Sequence, residues 1–107
     1  MSRKKLDTLT EQVYYVLLAL SEERHGYGVM QYAAQLTDGR VSIGAGTLDA
    51  LLARFEEEGL ISLTGERDNR KYYRLTEAGR GILEQEFDRL RRQVADGARV
   101  LKKEGAP

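Results

Sequence analysis

From Leu48 onward the apolar residues Leu48, Leu51, Leu52 and Phe55 recur at spacings of three, one and three, which puts all four on one face of a helix. Thr47, Asp49, Ala50, Ala53, Arg54 and Glu57 are left on the outside. Gly59 follows the last periodic residue as a left-handed C-cap, and Leu60 behind it folds back onto the apolar face. The period then changes from 3.6 to 2. Leu60 to Thr64 alternates apolar and polar, and Lys71 to Leu75 alternates again around Tyr72 and Tyr73, so the two stretches predict a hairpin joined through the polar run Gly65 to Arg70. A helix followed at once by a hairpin with a basic tip is the plan of a winged helix, in which the helix enters a major groove and the wing meets flanking phosphates.

Upstream, Thr8 and Glu11 form a capping box that predicts a helix start at Thr8. Leu9, Val13, Val16, Leu17 and Leu20 share one face of this helix, and Tyr14, Tyr15 and Leu18 spread around the remainder. A helix apolar nearly all round is buried on more than one side. Tyr14, Tyr15 or Leu18 then meets a partner subunit, or the tyrosines pack at the edge of their own core with hydroxyls in water. The polar stretch Ser21 to Arg24 ends this helix, and His25-Gly26-Tyr27-Gly28 opens the next, with Val29, Ala33 and Leu36 inward and Met30 alongside. His25 is expected to bond backbone at the helix start or to pack on Tyr27. Thr37, Asp38 and Gly39 end this helix, and Arg40 to Gly46 reads as an extended connector.

Beyond the hairpin, Thr76 is a plausible N-cap for a last helix, along which Leu83, Phe87, Leu90, Val94 and Leu101 keep heptad spacing, with Gly97 where an apolar residue is missing. So narrow a stripe suits a dimer interface with the first helix of another subunit; the alternative is that it folds back on its own domain. Gly97 lowers helix stability by about 1 kcal/mol relative to alanine, so fraying is expected from Ala98. The organisation is then a flexible basic tail (1–7), a winged helix-turn-helix domain (8–75), a C-terminal dimerisation helix (76–101) and a disordered tail (102–107). The fold class is mainly α with a small β-hairpin.

Composition narrows the chemistry. At 107 residues this is one domain, too small to enclose a roomy ligand cavity without a second copy. The absence of cysteine excludes disulfides, thiolate chemistry and Cys-based zinc sites, and a single histidine, His25, excludes a His-rich metal site. No carboxylate pair, nucleophile or phosphate loop is recognisable, so neither an enzyme nor a cofactor is expected. No apolar run approaches the roughly 20 residues that span a bilayer, and the expected location is the cytoplasm. Lys and Arg, 17 in all, balance 17 acids, but the charge is segregated. Arg67, Arg70, Lys71 and Arg74 cluster with Asp68 alone, whereas Glu56, Glu57 and Glu58 lie together elsewhere.

Four segments, LTEQVYYVLLAL at Leu9 to Leu20, HGYGVMQ at His25 to Gln31, GTLDALLARFEEEGLI at Gly46 to Ile61 and RKYYRLTEAGR at Arg70 to Arg80, stand in an order and spacing that resembles PadR-family transcriptional regulators. The resemblance is to the short kind with one C-terminal dimerisation helix. It implies a homodimer that binds a partly palindromic double-stranded DNA operator, usually as a repressor, with release by a small molecule in some members. On that reading Thr47, Asp49, Ala50 and Arg54 lie on the recognition helix, and Arg67, Asn69, Arg70 and Lys71 on the wing. The dimer interface takes Tyr14, Tyr15, Leu18, Leu83, Phe87, Leu90, Val94 and Leu101, and Tyr14, Tyr15, Leu18 and Phe87 line a cavity for a small planar apolar ligand. One departure stands out: the family commonly has Tyr-Pro where this chain has Asp49 and Ala50. An exposed carboxylate is repelled by phosphate but accepts from a cytosine amino group. Asp49 therefore bears on the operator sequence, or on a second reading in which the winged helix has lost DNA binding and docks a basic protein through Asp49 and Glu57.

Overall fold

The computed structural model describes residues 8–105, and the tail 1–7 and the last two residues lie outside the described part. Helix α1 (Glu11–Ala19) buries Val13, Val16, Leu17 and Ala19. It starts two residues later than the Thr8 box predicts. Thr10 is the N-cap, its Oγ1 accepting from the Val13 N–H at 3.2 Å, because Leu9 is held non-helical against the core with its own N–H given to Glu86. Glu11 pairs with Arg40 instead of reaching back to Thr8.

The polar stretch after α1 is more than a connection. Arg24 and His25 form a short strand β1 that pairs antiparallel with Tyr73 and Tyr72, so the expected hairpin is a three-stranded sheet of order β1-β3-β2. Arg24 is anchored by donation to the Ala19 carbonyl at 2.6 Å, with its guanidinium 3.9 Å from the Tyr32 ring centroid. Helix α2 (Gly26–Leu36) turns Val29 and Ala33 inward. Leu36 does not join them; it is 52% exposed, and Tyr32 packs against the core instead. The connector also contributes to the core, since Val41 and Ile43 are buried.

Helix α3 (Ala45–Glu57) buries Leu48 and Phe55 and half-buries Leu51 and Leu52, as the stripe predicts. Complete burial of a side chain the size of Phe55 contributes about 2–3 kcal/mol. Gly59, at φ 76°, closes the helix in a Schellman motif: its N–H reaches the Glu56 carbonyl, and that of Leu60 reaches Phe55 at 2.8 Å. Strands β2 (Ile61–Arg67) and β3 (Arg70–Leu75) run further than the alternation indicates. Asp68 and Asn69, at φ 54° and 62°, form a two-residue turn with both residues left-handed, and the surplus residue is taken up by a bulge between Leu63 and Gly65.

Thr76 caps helix α4 (Glu77–Gly105), its Oγ1 accepting from the Gly79 N–H at 3.1 Å while donating to the Gly59 carbonyl at 2.6 Å. The helix continues through Gly97 to Gly105. Its first turns pack on the chain's own domain. Leu83 is 5% exposed and sits in the core with Ile82, which removes it from the proposed dimer seam.

Gly79 is required by contact. A Cβ there would lie 2.0 Å from the Leu60 carbonyl oxygen, whereas one at Gly81 would meet nothing within 4 Å. Gly79→Ala should destabilise by about 3 kcal/mol, at the upper end for overpacking, because the obstacle is backbone. Gly81→Ala should stabilise by roughly 0.5–1 kcal/mol through helix propensity. Urea midpoints of the two variants against wild type test the pair, and equal shifts would contradict the close approach.

Candidate nucleic-acid interface

Backbone N–H groups at the start of a helix have no intrahelical acceptor. Gly44, the N-cap of α3, supplies no side chain to take one up, so the first turn presents its donors to solvent. Ala45, Gly46, Thr47, Asp49, Ala50 and Ala53 are exposed beside them. Thr47, Asp49 and Ala50 are thus all solvent-facing on the first two turns of α3. Arg54 does not stand free with them: it is partly buried, and its Nε lies 3.5 Å from the Glu58 carboxylate one turn on.

The wing cations divide in the same way. Arg67 donates to Glu23 at 3.1 Å, and its guanidinium lies 3.8 Å from the Tyr72 ring centroid. Glu23 also accepts from the Thr64 hydroxyl at the bulge, and that bond, followed by Arg67, holds its carboxyl below the usual range. Arg67 is thus committed to fastening the wing to the loop after α1. Asn69 serves the turn backbone, and Arg70, Lys71 and Arg74 are exposed with no carboxylate within 4.0 Å among the described residues.

His25 occupies the join between wing and helices. Its Nδ1 accepts from the Gly28 N–H at 3.0 Å and caps α2, as expected of a helix-start residue, but the ring packs edge-on against Tyr72, 5.1 Å between centroids, and not on Tyr27. Its Nε2 is 3.1 Å from an Arg70 guanidinium nitrogen. Burial, then the Arg70 charge, lowers the imidazole pKa below its ordinary value. A cleft of about 280 Å³ opens beside it, lined by His25, Gly26, Tyr27, Asp49, Leu52, Arg70, Lys71 and Tyr73. Asp49 of α3 and the two wing cations therefore line one depression. The signal for His25 was its place at a helix start; the partnership with Arg70 had none.

A second cleft, about 300 Å³, lies between α1 and α4. Tyr14 and Tyr15 line it with Leu9, Thr10, Glu11, Glu86 and Leu90; Leu18 and Phe87 lie outside this cleft. Glu86 is buried yet ionised, its carboxyl kept low by hydrogen bonding from Arg89, and Tyr15 accepts from Arg40 at 3.0 Å. Along α4, Phe87, Val94 and Leu101 are exposed and Leu90 half-buried. Among the described residues no cluster of three or more His, Asp or Glu side chains is placed to hold a metal ion, and no helix is long and apolar enough to cross a membrane.

The geometry has close counterparts. A profile of the Transcriptional regulator PadR-like family matches residues 16–85. A solved PadR-family transcriptional regulator from Eggerthella lenta is 33% identical over 83% of this chain and 79% of its own, with a TM-score of 0.63. A PadR-like regulator from Bacillus cereus is 25% identical over 84% and 90%, with a TM-score of 0.69. A transcriptional regulator from Clostridium thermocellum is 25% identical over 87% and 90%, at 0.63. The sequence comparison with curated proteins gives no match.

Because the folded-state pKa of His25 is depressed, the neutral ring is the folded form, and its contribution is complete above the unfolded value near 6.5. That contribution is lost as pH falls toward the folded pKa, where protonation removes the Nδ1 acceptor and sets a cation against Arg70. The urea midpoint of wild type should fall between pH 7.5 and 5.5, and that of His25→Asn, which keeps an N-cap acceptor, should fall less. Parallel curves would show that His25 titrates alike in both states.

Proposed function

This chain belongs to the PadR-like family of transcriptional regulators, and from that premise we propose that it is a homodimeric, sequence-specific DNA-binding repressor. It is a regulator and not an enzyme. The observation that carries the proposal is the cleft that brings Asp49 of α3 together with the exposed wing cations Arg70 and Lys71, with Thr47 and Ala50 exposed on the same helix. In a major groove, Thr47 and Asp49 reach base edges while the wing cations meet phosphates on the flank. Asp49, acceptor only, favours a cytosine amino group at its position. The roles first given to Arg54 and Arg67 are reduced, since each is tied to a carboxylate.

Phe87, Val94 and Leu101 leave α4 with an apolar stripe that has no cover among the described residues, and they support dimerisation through this helix. A two-fold dimer would set the two recognition helices on half-sites one or more helical turns apart. Release by a small planar apolar ligand in the Tyr14 and Tyr15 cleft extends the same reading, because a ligand there would press on both α1 and α4.

The test is selection from a random-sequence duplex library, followed by fluorescence anisotropy of the selected duplex against a shuffled one at two salt concentrations. A preference of roughly a thousandfold, maintained as salt weakens both, is expected. Lys71→Glu should weaken binding to both duplexes and flatten the salt dependence. No duplex binding, with one basic protein captured stoichiometrically, would instead favour the interaction-module reading through Asp49 and Glu57. For the dimer, the double substitution Val94→Glu with Leu101→Glu should give a monomer by sedimentation; an unchanged dimer would remove the α4 stripe from the interface.

A further inference from the structure

We propose that His25 and Arg70 together clamp one oxygen of a DNA backbone phosphate in the cleft between the start of α2 and the wing, a contact that rests on the DNA-binding reading above. The argument begins with the imidazole proton. A neutral ring has one donor and one acceptor nitrogen, and Nδ1 is the acceptor because it takes the Gly28 N–H at 3.0 Å. The proton therefore sits on Nε2. That nitrogen is 3.1 Å from Nη1 of Arg70, and a guanidinium carries donors only. With the proton on Nε2 the two groups cannot satisfy each other; both are N–H donors at the edge of the cleft, and neither donates to an oxygen among the described residues.

An oxygen bridging the two nitrogens from the cleft side, at hydrogen-bond distance from each, accepts from both, and a phosphate oxygen is the acceptor best suited to a guanidinium. The surroundings favour an anion. Arg70 and Lys71 line the cleft as cations, against Asp49 as its one carboxylate, and Asp49 makes no hydrogen bond or ion pair with either. The remaining polar groups on its walls belong to Tyr27 and Tyr73. The imidazole is already immobilised by its cap to Gly28 and its edge contact with Tyr72, so little side-chain freedom is lost on binding. The neutral ring persists at neutral pH, since burial and the Arg70 charge both oppose its protonation. The cleft adjoins the exposed start of α3, so the phosphate held there would flank the bases reached by Thr47 and Asp49.

His25 is the only histidine in the chain, so nitrogen-15 NMR of the full-length protein reports this imidazole without overlap. At pH 7.5 the free protein should show the Nε2–H tautomer. Adding a 24-base-pair duplex should move that proton downfield and slow its exchange with water. In anisotropy measurements His25→Asn, which keeps the cap but lacks the distal N–H, should weaken binding about fivefold with an unchanged salt slope. Arg70→Ala should weaken it and make the slope shallower by roughly one per protomer. In the Arg70→Ala background the His25→Asn effect should shrink, because both groups hold the same oxygen. An imidazole signal unmoved by duplex, with His25→Asn binding as wild type does, overturns the clamp while DNA binding stands. A signal moved by millimolar sodium phosphate but not by duplex overturns the DNA source in favour of a small-anion site. Wild type that binds no duplex at low salt overturns the DNA-binding reading, and the clamp with it.

Discussion

The junction where the backbone at Gly59 and Leu60 meets the start of α4 holds α3, the wing and the long helix in one frame. The Gly59 carbonyl accepts from the Thr76 hydroxyl and the Leu60 carbonyl from the Thr76 N–H at 3.0 Å, while Leu60 donates back to Phe55 at the end of α3. Gly79 lets the first turn of α4 sit directly on that carbonyl. Next to it, the Leu75 N–H donates to the Leu20 carbonyl at 2.8 Å, which ties the base of β3 to the end of α1. Buried backbone groups must all be paired, so this short stretch sets the angle of α3 relative to both α4 and the sheet.

Electrostatics then decides which of the basic side chains remain available. Formal charge is balanced, and much of it is spent inside the chain: Arg40 on Glu11, Arg54 on Glu58, Arg67 on Glu23 and Arg89 on Glu86. Arg67 is the instructive case. Its pairing with Glu23 fastens the wing at its bulge and orients the Tyr72 ring, which in turn supports His25. In the free chain this cation therefore helps to position the wing. Arg70 and Lys71, just past the two turn residues, are left facing the cleft beside α3.

A division of the long helix follows from the same frame. Ile82 and Leu83 belong to the winged domain's core, and Glu86 with Arg89 marks the edge where that core ends. Beyond it, Phe87, Val94 and Leu101 are apolar and uncovered. The heptad spacing runs through both parts without a break, so periodicity alone cannot locate the boundary. It is set by how far α1 and Leu9 reach along α4.

What the sequence determined by itself lies within four or five residues along the chain. The Leu48, Leu51, Leu52 and Phe55 stripe, the Gly59 stop, the Thr76 cap and the change to period two all proved legible because helix faces, caps and pleats are local geometry. Even there, Thr8 and Thr10 competed for one cap, and the long-range hold of Glu86 on Leu9 settled it. Family membership was legible too, through motifs in order. The tertiary structure alone decided the rest: strand β1 against β3, the burial of Val41 and Ile43, the exposure of Leu36, the loss of Arg67 to Glu23 and the meeting of His25 with Arg70. Each depends on groups some 40 or more residues apart, or on which of several apolar faces wins burial, and no local period encodes that choice.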